Sequence, residues 1–203
     1  MGDPKKLRKK YETPRHPWQA SRIEFERPLV NEYGLKNKKE IWKAQSLLRR
    51  FTDQAKALST IKTENQKKEK EQLIAKLAKL GLLKQGQDRE DVLDLNLKNI
   101  LDRRLQTLMV KKGLALTPKQ ARQFIVHGHI MADGQKITVP GYLVSVDEEN
   151  KIGFLQNSSL SNPENPEVVL IKEKYNKETK EEKEIKDKKK KTEKENTEEK
   201  KKE

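Results

Sequence analysis

The chain has 203 residues, of which 38% are charged and 32% hydrophobic, and its 46 Lys and Arg residues against 32 Asp and Glu residues give a net charge of +14. Such a surplus favours a polyanionic partner, because each neutralised phosphate releases condensed counterions. The absence of cysteine excludes disulfides and thiolate metal sites, and no apolar run approaches the ~18 residues of a membrane span. We therefore expect a soluble, intracellular protein.

Residues 1–37 are predicted to form an extended basic arm. Prolines at positions 4, 14, 17 and 28 disfavour a continuous helix. Lys and Arg residues alternate with the rings of Tyr11, His16, Trp18 and Phe25. This pattern suits an arm that threads into RNA, where rings stack on bases and cations neutralise phosphates. A terminus without defined structure is the alternative interpretation.

Residues 38–100 are predicted to form a helical domain. In its first helix, Asn37 is placed to act as the N-cap, and Glu40 to complete a capping box three residues later. Apolar residues then recur near a period of 3.6 residues. A second helix is expected from about Glu64, with an apolar stripe that ends at Gly81.

The following segment predicts a single helix from Ile100 to Lys112, ended by Gly113. The side chains expected on its buried stripe are Leu101, Leu105, Leu108 and Met109. Six Lys or Arg residues but one acidic residue lie between positions 101 and 129. This density of positive charge favours a surface that contacts phosphate.

A second helix with clear start and stop signals comes next. Thr117 is the expected N-cap, Pro118 the first helical residue and Gln120 the partner that completes a capping box, while Gly128 ends the helix. The residues expected to face inward are Ala121, Phe124 and Ile125. Those expected to lie outside are Lys119, Arg122, Gln123 and His127.

After this helix the apolar period changes to two, which indicates strands. Asp133-Gly134 predicts a type I′ hairpin. Pro140-Gly141 is expected to turn the chain into a strand at residues 142–146, and a polar turn at 147–150 precedes a last strand at 151–154. The predicted class is α+β: a basic arm and a helical domain, followed by two helices packed on a small, strongly bent antiparallel sheet.

Residues 169–203 are predicted to form a charged, disordered tail. From Lys172 onward, 14 Lys and 11 acidic residues are intermixed, and Tyr175 and Ile185 are the large apolar residues. So few apolar side chains cannot offset the entropy of ordering. A single charged helix, supported by Glu–Lys pairs at four-residue spacing, is the competing possibility.

Several stretches resemble a known family. The runs LDRRL, TPKQARQFIVHGHIMADGQKI and VPGYLVS are similar to the RNA-binding module named after small-subunit ribosomal protein S-four, over roughly 101–168. The runs GDPKKLRKKYETPRHPW and YGLKNKKEIWKAQSLLR are similar to the archaeal and eukaryotic-type members of that ribosomal family. The resemblance extends over nearly 170 residues, and the acid-and-lysine tail lies outside it.

The resemblance implies a structural constituent of the small ribosomal subunit that binds rRNA early in assembly and folds a multi-helix junction. It also implies neighbouring small-subunit proteins as partners and a position near the mRNA entrance. Lys, Arg and Thr side chains of the module would reach phosphates or 2′-hydroxyls, and Gln and His can also read exposed base edges. Carried onto this sequence, the RNA-facing residues are Arg103, Arg104, Lys111, Lys112, Thr117, Lys119, Gln120, Arg122, Gln123, His127, His129 and Lys136.

Other functions fit the sequence less well. His127 and His129 lack a third metal ligand nearby, and the acidic residues lie in linkers, turns and the tail rather than in a catalytic constellation. We therefore expect no metal, no cofactor and no enzymatic activity. An assembly factor of the same fold, which acts on pre-ribosomal RNA but is absent from mature subunits, remains the main alternative. A protein that works only through its charged tail would leave the module unexplained.

Overall fold

The computed structural model describes residues 9–58, 63–84, 86–162 and 164–176. Within these ranges the chain has the predicted α+β class. The helices are α1 (Ala20–Glu32), α2 (Lys38–Ala57), α3 (Glu64–Lys79), α4 (Arg89–Leu93), α5 (Leu97–Asp102), α6 (Leu105–Lys111), α7 (Pro118–His127) and α8 (Val146–Glu149), and the strands are β1 (Ile130–Ala132), β2 (Gln135–Lys136) and β3 (Gly153–Phe154). The strands form one antiparallel sheet in the order β2–β1–β3.

Buried apolar side chains form three neighbouring clusters. One joins α1, α2 and α5 and includes Ile41 and Leu101. A second joins α2, α3 and α4 around Leu77. The third, which we call the module core, lies between α6, α7 and the sheet and includes Leu105 and Ile125. Long-range apolar contact therefore holds both the helical half and the module, while the exact domain boundaries stay a prediction.

The prediction of a fully extended arm at residues 1–37 is wrong over α1. Pro28 lies inside this helix, although an interior proline removes a backbone hydrogen bond and costs about 3 kcal/mol. Tertiary packing outweighs that cost, because Leu29 and Tyr33 are buried against α2 and α5. Residues 9–18 contain no helix, and the first eight residues of the predicted arm lie outside the described ranges.

The single helix predicted from Ile100 to Lys112 is in fact two, α5 and α6. Arg103 and Arg104 separate them, with Arg104 in the extended conformation that precedes α6. The chain opens here to pair with residues 142–144: Leu105 N donates to Tyr142 O (2.8 Å), and Val144 N donates to Arg103 O (3.1 Å). The helical periodicity continues through this break, so a pattern of apolar residues alone could not reveal it.

The same contact corrects the strand predicted at residues 142–146. Leu143 forms an isolated bridge with Arg104 and joins no ladder, because its partner is a two-residue interruption between helices. The predicted turn at 147–150 is mostly the short helix α8, and the Ser145 hydroxyl caps this helix by accepting from Glu148 N. The hairpin at Asp133-Gly134 is confirmed, with both turn residues at positive φ. Of the strand expected at 151–154, only residues 153–154 form a strand, β3.

The prediction of a disordered tail from residue 169 is also wrong for residues 169–176. Residues 166–176, the C-terminal segment, are helical. Val168 and Ile171 belong to the module core, since their spacing of three places both on one face of a helix. Tyr175 donates its hydroxyl hydrogen to Lys111 O (3.2 Å). The remaining tail, 177–203, lies outside the described residues.

We predict that Gly113→Ala loosens this C-terminal segment. Gly113 has φ +68°, and an added β-carbon would lie 2.6 Å from Cγ of Tyr175. Gly134 has a similar φ of +76° with no atom within 4 Å of an added β-carbon. Each substitution should lower the free energy of unfolding by about 1–2 kcal/mol through backbone strain alone. In urea unfolding, Gly113→Ala should lower the free energy of unfolding by roughly 1 kcal/mol more than Gly134→Ala does, because overpacking against Tyr175 adds to the backbone strain.

The control is the Tyr175→Ala background. There the extra cost of Gly113→Ala over Gly134→Ala should vanish, because the ring that it strikes is gone. An equal cost of both substitutions in the wild-type background would contradict docking of the segment.

Candidate nucleic-acid interface

The structure divides the twelve predicted site residues into three groups. Arg103, Arg104, Lys112 and Arg122 bind acidic residues or backbone carbonyls of the protein itself. Six side chains are exposed: Lys111, Thr117, Lys119, Gln123, His127 and Lys136. Gln120 and His129 are half-buried. Sequence reasoning placed all twelve toward a partner, and the structure assigns the first group a role inside the fold.

Glu40 receives two of these arginines. Its carboxylate accepts from Arg104 Nη2 (2.5 Å) and from Arg122 Nη2 (2.8 Å) and Nη1 (3.3 Å). The side chains of Glu40 and Arg104 are only 16% and 7% exposed. A buried charge pair of this kind holds its elements in one orientation, because separating the partners leaves a charge unpaired away from water. We call this contact the Glu40 joint.

Two predictions fail at the Glu40 joint. The capping box expected between Asn37 and Glu40 does not form: α2 begins after Asn37, but no side-chain hydrogen bond caps it. Glu40 points instead to the module. Arg122, expected on the outer face of α7, is half-buried, and its guanidinium forms a salt bridge with Glu40. Neither contact has a sequence signal, since 82 residues separate Glu40 from Arg122.

Charge and burial act in opposite directions on the Glu40 carboxyl. Burial by itself would raise its pKa, but the hydrogen bonds and positive charges of Arg122 and Arg104 outweigh burial and hold the pKa below its usual value. Glu40 is therefore ionised at neutral pH.

Gln106 strengthens the same junction and was missed by sequence reasoning. This side chain is 1% exposed. Its Nε2 donates to the carbonyl oxygens of Tyr33 (3.2 Å), Gly34 (3.1 Å) and Pro118 (2.8 Å). It thus ties the turn after α1 to the start of α7. A polar residue beside the apolar stripe of its helix was the available signal.

A second acidic residue, Glu149, holds the other two interior cations. Arg103 Nη1 donates to its carboxylate (2.7 Å), and Lys112 Nζ donates to its carbonyl oxygen. Arg103 Nη2 also donates to Val144 O (3.2 Å). These bonds fasten α8 to the ends of α5 and α6. Arg103 and Lys112 therefore stabilise the packing of α8 within the module.

The start of α7 is built much as predicted. Thr117 Oγ1 accepts from Gln120 N (3.2 Å), with Pro118 as the first helical residue. Gln120 Oε1 accepts from Leu116 N (2.9 Å) rather than from the N-cap amide, so the capping box is only half formed. At the other end Gly128 adopts the left-handed conformation, with φ 77°, which confirms it as the residue where the helix ends.

One exposed face remains for a partner. Lys119, Gln123 and His127 follow one another at four-residue spacing along α7 and are all exposed, so they form a single stripe. Lys136 of the hairpin lies beside the end of this stripe, because its stem passes Gly128, where an added β-carbon would lie 2.2 Å from Cε of Lys136. We call these four residues the α7 face. It offers two cations, an amide and an imidazole.

His129 takes a different position. Its Nδ1 lies 2.8 Å from Ser158 Oγ, and its ring makes edge contact with Phe124. Across the described ranges no group of three or more His, Asp or Glu side chains is placed to hold a metal ion. In the same part of the chain, no helix combines the length and apolar character needed to cross a membrane.

We predict that Glu40→Gln lowers the free energy of unfolding by about 3 kcal/mol at pH 7, because it leaves the Arg104 charge buried without a counter-ion. Because the folded-state pKa of Glu40 is depressed, its contribution is complete above the unfolded-state value of ~4.3. That contribution is lost as pH falls through the lower folded-state pKa. Urea titrations of both proteins between pH 7 and pH 3 should show the difference shrinking.

The surface pair Lys98–Glu32, 59% and 52% exposed, provides the control. Glu32→Gln should change the unfolding free energy by less than ~1 kcal/mol. A Glu40→Gln protein as stable as this control would refute the structural importance of the joint.

Comparison with known proteins agrees with this architecture. Residues 103–150 match the S4 domain family. The chain is 53% identical to small ribosomal subunit protein uS4 of Methanothermobacter thermautotrophicus over 160 residues, covering 79% of this chain and 94% of the relative. It is 49% identical to the uS4 protein of Nanoarchaeum equitans over 175 residues, covering 85% and 97%. The resemblance found in the sequence is confirmed, and the chain belongs to the uS4 family of small ribosomal subunit proteins.

Proposed function

We propose that this chain is a structural, non-catalytic constituent of the small ribosomal subunit and binds small-subunit rRNA through the α7 face. The observation that carries the proposal is the exposed stripe of Lys119, Gln123 and His127, with Lys136 beside it. Relatives named for the small ribosomal subunit match this chain along nearly their whole length, which supports the same role here.

The chemistry of the α7 face suits folded RNA. Lys119 and Lys136 can neutralise phosphates, which supplies affinity that depends on salt. The Gln123 amide and the His127 imidazole can hydrogen-bond to base edges in irregular RNA. The interior cations contribute positive potential from behind the face, although their guanidinium and ammonium groups are already bound.

The finer role follows from the family resemblance. We propose that the protein binds early in assembly, folds a multi-helix rRNA junction, touches neighbouring small-subunit proteins and lies near the mRNA entrance of cytoplasmic ribosomes. The alternative is an assembly factor that leaves before the subunit matures. Stoichiometry in purified mature subunits distinguishes them: one copy per subunit supports a constituent, and absence supports the factor.

We predict that Lys119→Gln with Lys136→Gln weakens binding to a small-subunit rRNA fragment. Loss of two phosphate contacts should lower the salt slope, the change of log affinity with log salt, by roughly 1.4–1.8. Arg104 and Arg122 are poor probes, because changing them breaks the Glu40 joint. Affinity measured from about 50 to 200 mM salt, with circular dichroism to verify folding, tests the face.

The matched control removes two charges from exposed residues of α3, Lys67→Gln with Lys68→Gln. It should change the slope by much less. If both double variants lower affinity and slope equally, binding reflects total charge, and the α7 face is not the RNA-binding surface.

A further inference from the structure

We infer that a groove beside the α7 face binds one unpaired guanine base of the RNA. The groove lies between α7 and residues 159–160 and 165–167, and has a volume of about 380 Å³. Its polar lining includes Gln123, His127, His129 and Glu167; we call it the α7 groove. The inference deepens the proposed function and rests on it, since the same face would bring the RNA to the groove.

The size and position of the α7 groove suit a flipped-out nucleotide. Its volume is within the ~300–1,000 Å³ of small-molecule sites. Gln123 and His127 belong to both the α7 face and the α7 groove. A strand whose phosphates contact Lys119 could therefore place an adjacent base in the groove. Single-stranded bases that proteins recognise are commonly splayed out in this way.

Two imidazole rings provide surfaces for stacking. The rings of His127 and His129 are 6.3 Å apart with planes inclined by 36°. His129 is held in place by Ser158 and by the edge of Phe124. His127 is exposed at the mouth. A planar base can stack on a histidine ring, and this contact does not by itself distinguish one base from another.

The Glu167 carboxylate supplies the distinction. It has no hydrogen-bond or salt-bridge partner among the described residues, and a carboxylate repels phosphate. Ionised, it can only accept hydrogen bonds. Guanine presents two adjacent donors on its Watson–Crick edge, N1–H and N2–H, whereas each other base presents one donor group there. A bidentate contact to guanine therefore fits this carboxylate best.

Asn165 holds the backbone at Glu167 in place. Its Nδ2 donates to Ser159 O (3.1 Å), and its Oδ1 accepts from Glu167 N (3.0 Å). Both ends of the amide are thus engaged within the wall of the α7 groove. Asn165 therefore shapes the wall of the groove, while Glu167 and Gln123 would touch the base. The Gln123 amide is exposed at the rim and could donate to the guanine O6 or N7 acceptors.

The test uses the full chain and four pentaribonucleotides that differ at the centre: UUGUU, UUAUU, UUCUU and UUUUU. Fluorescence anisotropy of labelled oligomers gives the affinities, and NMR follows the ring signals of His127 and His129. We expect UUGUU to bind about tenfold more tightly than the others, in keeping with one bidentate base contact, and to shift both histidine signals. Glu167→Gln should reduce the preference to less than about threefold.

Glu164→Gln removes the same charge from an exposed residue outside the α7 groove and should leave the preference intact. Equal affinity for the four oligomers overturns the inference, as does loss of the preference in both variants. If no oligomer shifts the histidine signals while the rRNA fragment still binds, the groove fails but the proposed function stands. Failure of rRNA binding itself would overturn the proposed function.

Discussion

The contact of Glu40 with Arg104 and Arg122 is the constraint on which the arrangement of this molecule depends. One carboxylate from the first turn of α2 receives guanidinium groups from the junction of α5 with α6 and from α7. Because these groups are largely withdrawn from water, a group that lost its partner would leave a buried charge unpaired and would destabilise the fold. Gln106 adds three bonds to backbone carbonyls. The helical half is thereby held against the module in one orientation.

This constraint also explains how a strongly basic chain can have both a stable interior and an exposed surface, which we propose binds RNA. Arg104 and Arg122 are held by Glu40, and Arg103 by Glu149, so part of the positive charge serves packing. The α7 face carries charge with no such partner in the described part of the chain at Lys119 and Lys136. A surface of lysines, glutamine and histidine can then follow an irregular RNA backbone while the arginines keep the scaffold rigid.

The C-terminal segment completes the module from outside the stretch that matches the S4 domain family. Val168 and Ile171 close the module core, and Tyr175 lies over Gly113 at the turn after α6. The first residues of this helix, with Ser159, Leu160 and Asn165 before it, form one wall of the α7 groove. Packing of the segment and shape of the groove are thus coupled, because both depend on where residues 165–167 are held.

Local signals in the sequence determined the α+β fold class. They also determined helices α2, α3 and α7 and the Asp133-Gly134 hairpin, because caps, glycines and apolar periodicity act over a few residues. They also determined the family, through runs such as TPKQARQFIVHGHIMADGQKI. Three features depend on tertiary structure alone: a helix α1 that contains Pro28, the break between α5 and α6 at Arg103-Arg104, and the helical C-terminal segment. Tertiary structure also decided which arginines are interior, because Glu40 and Arg122 meet across 82 residues. Burial and charge pairing at such separations depend on the whole fold, and local propensity carries no record of them.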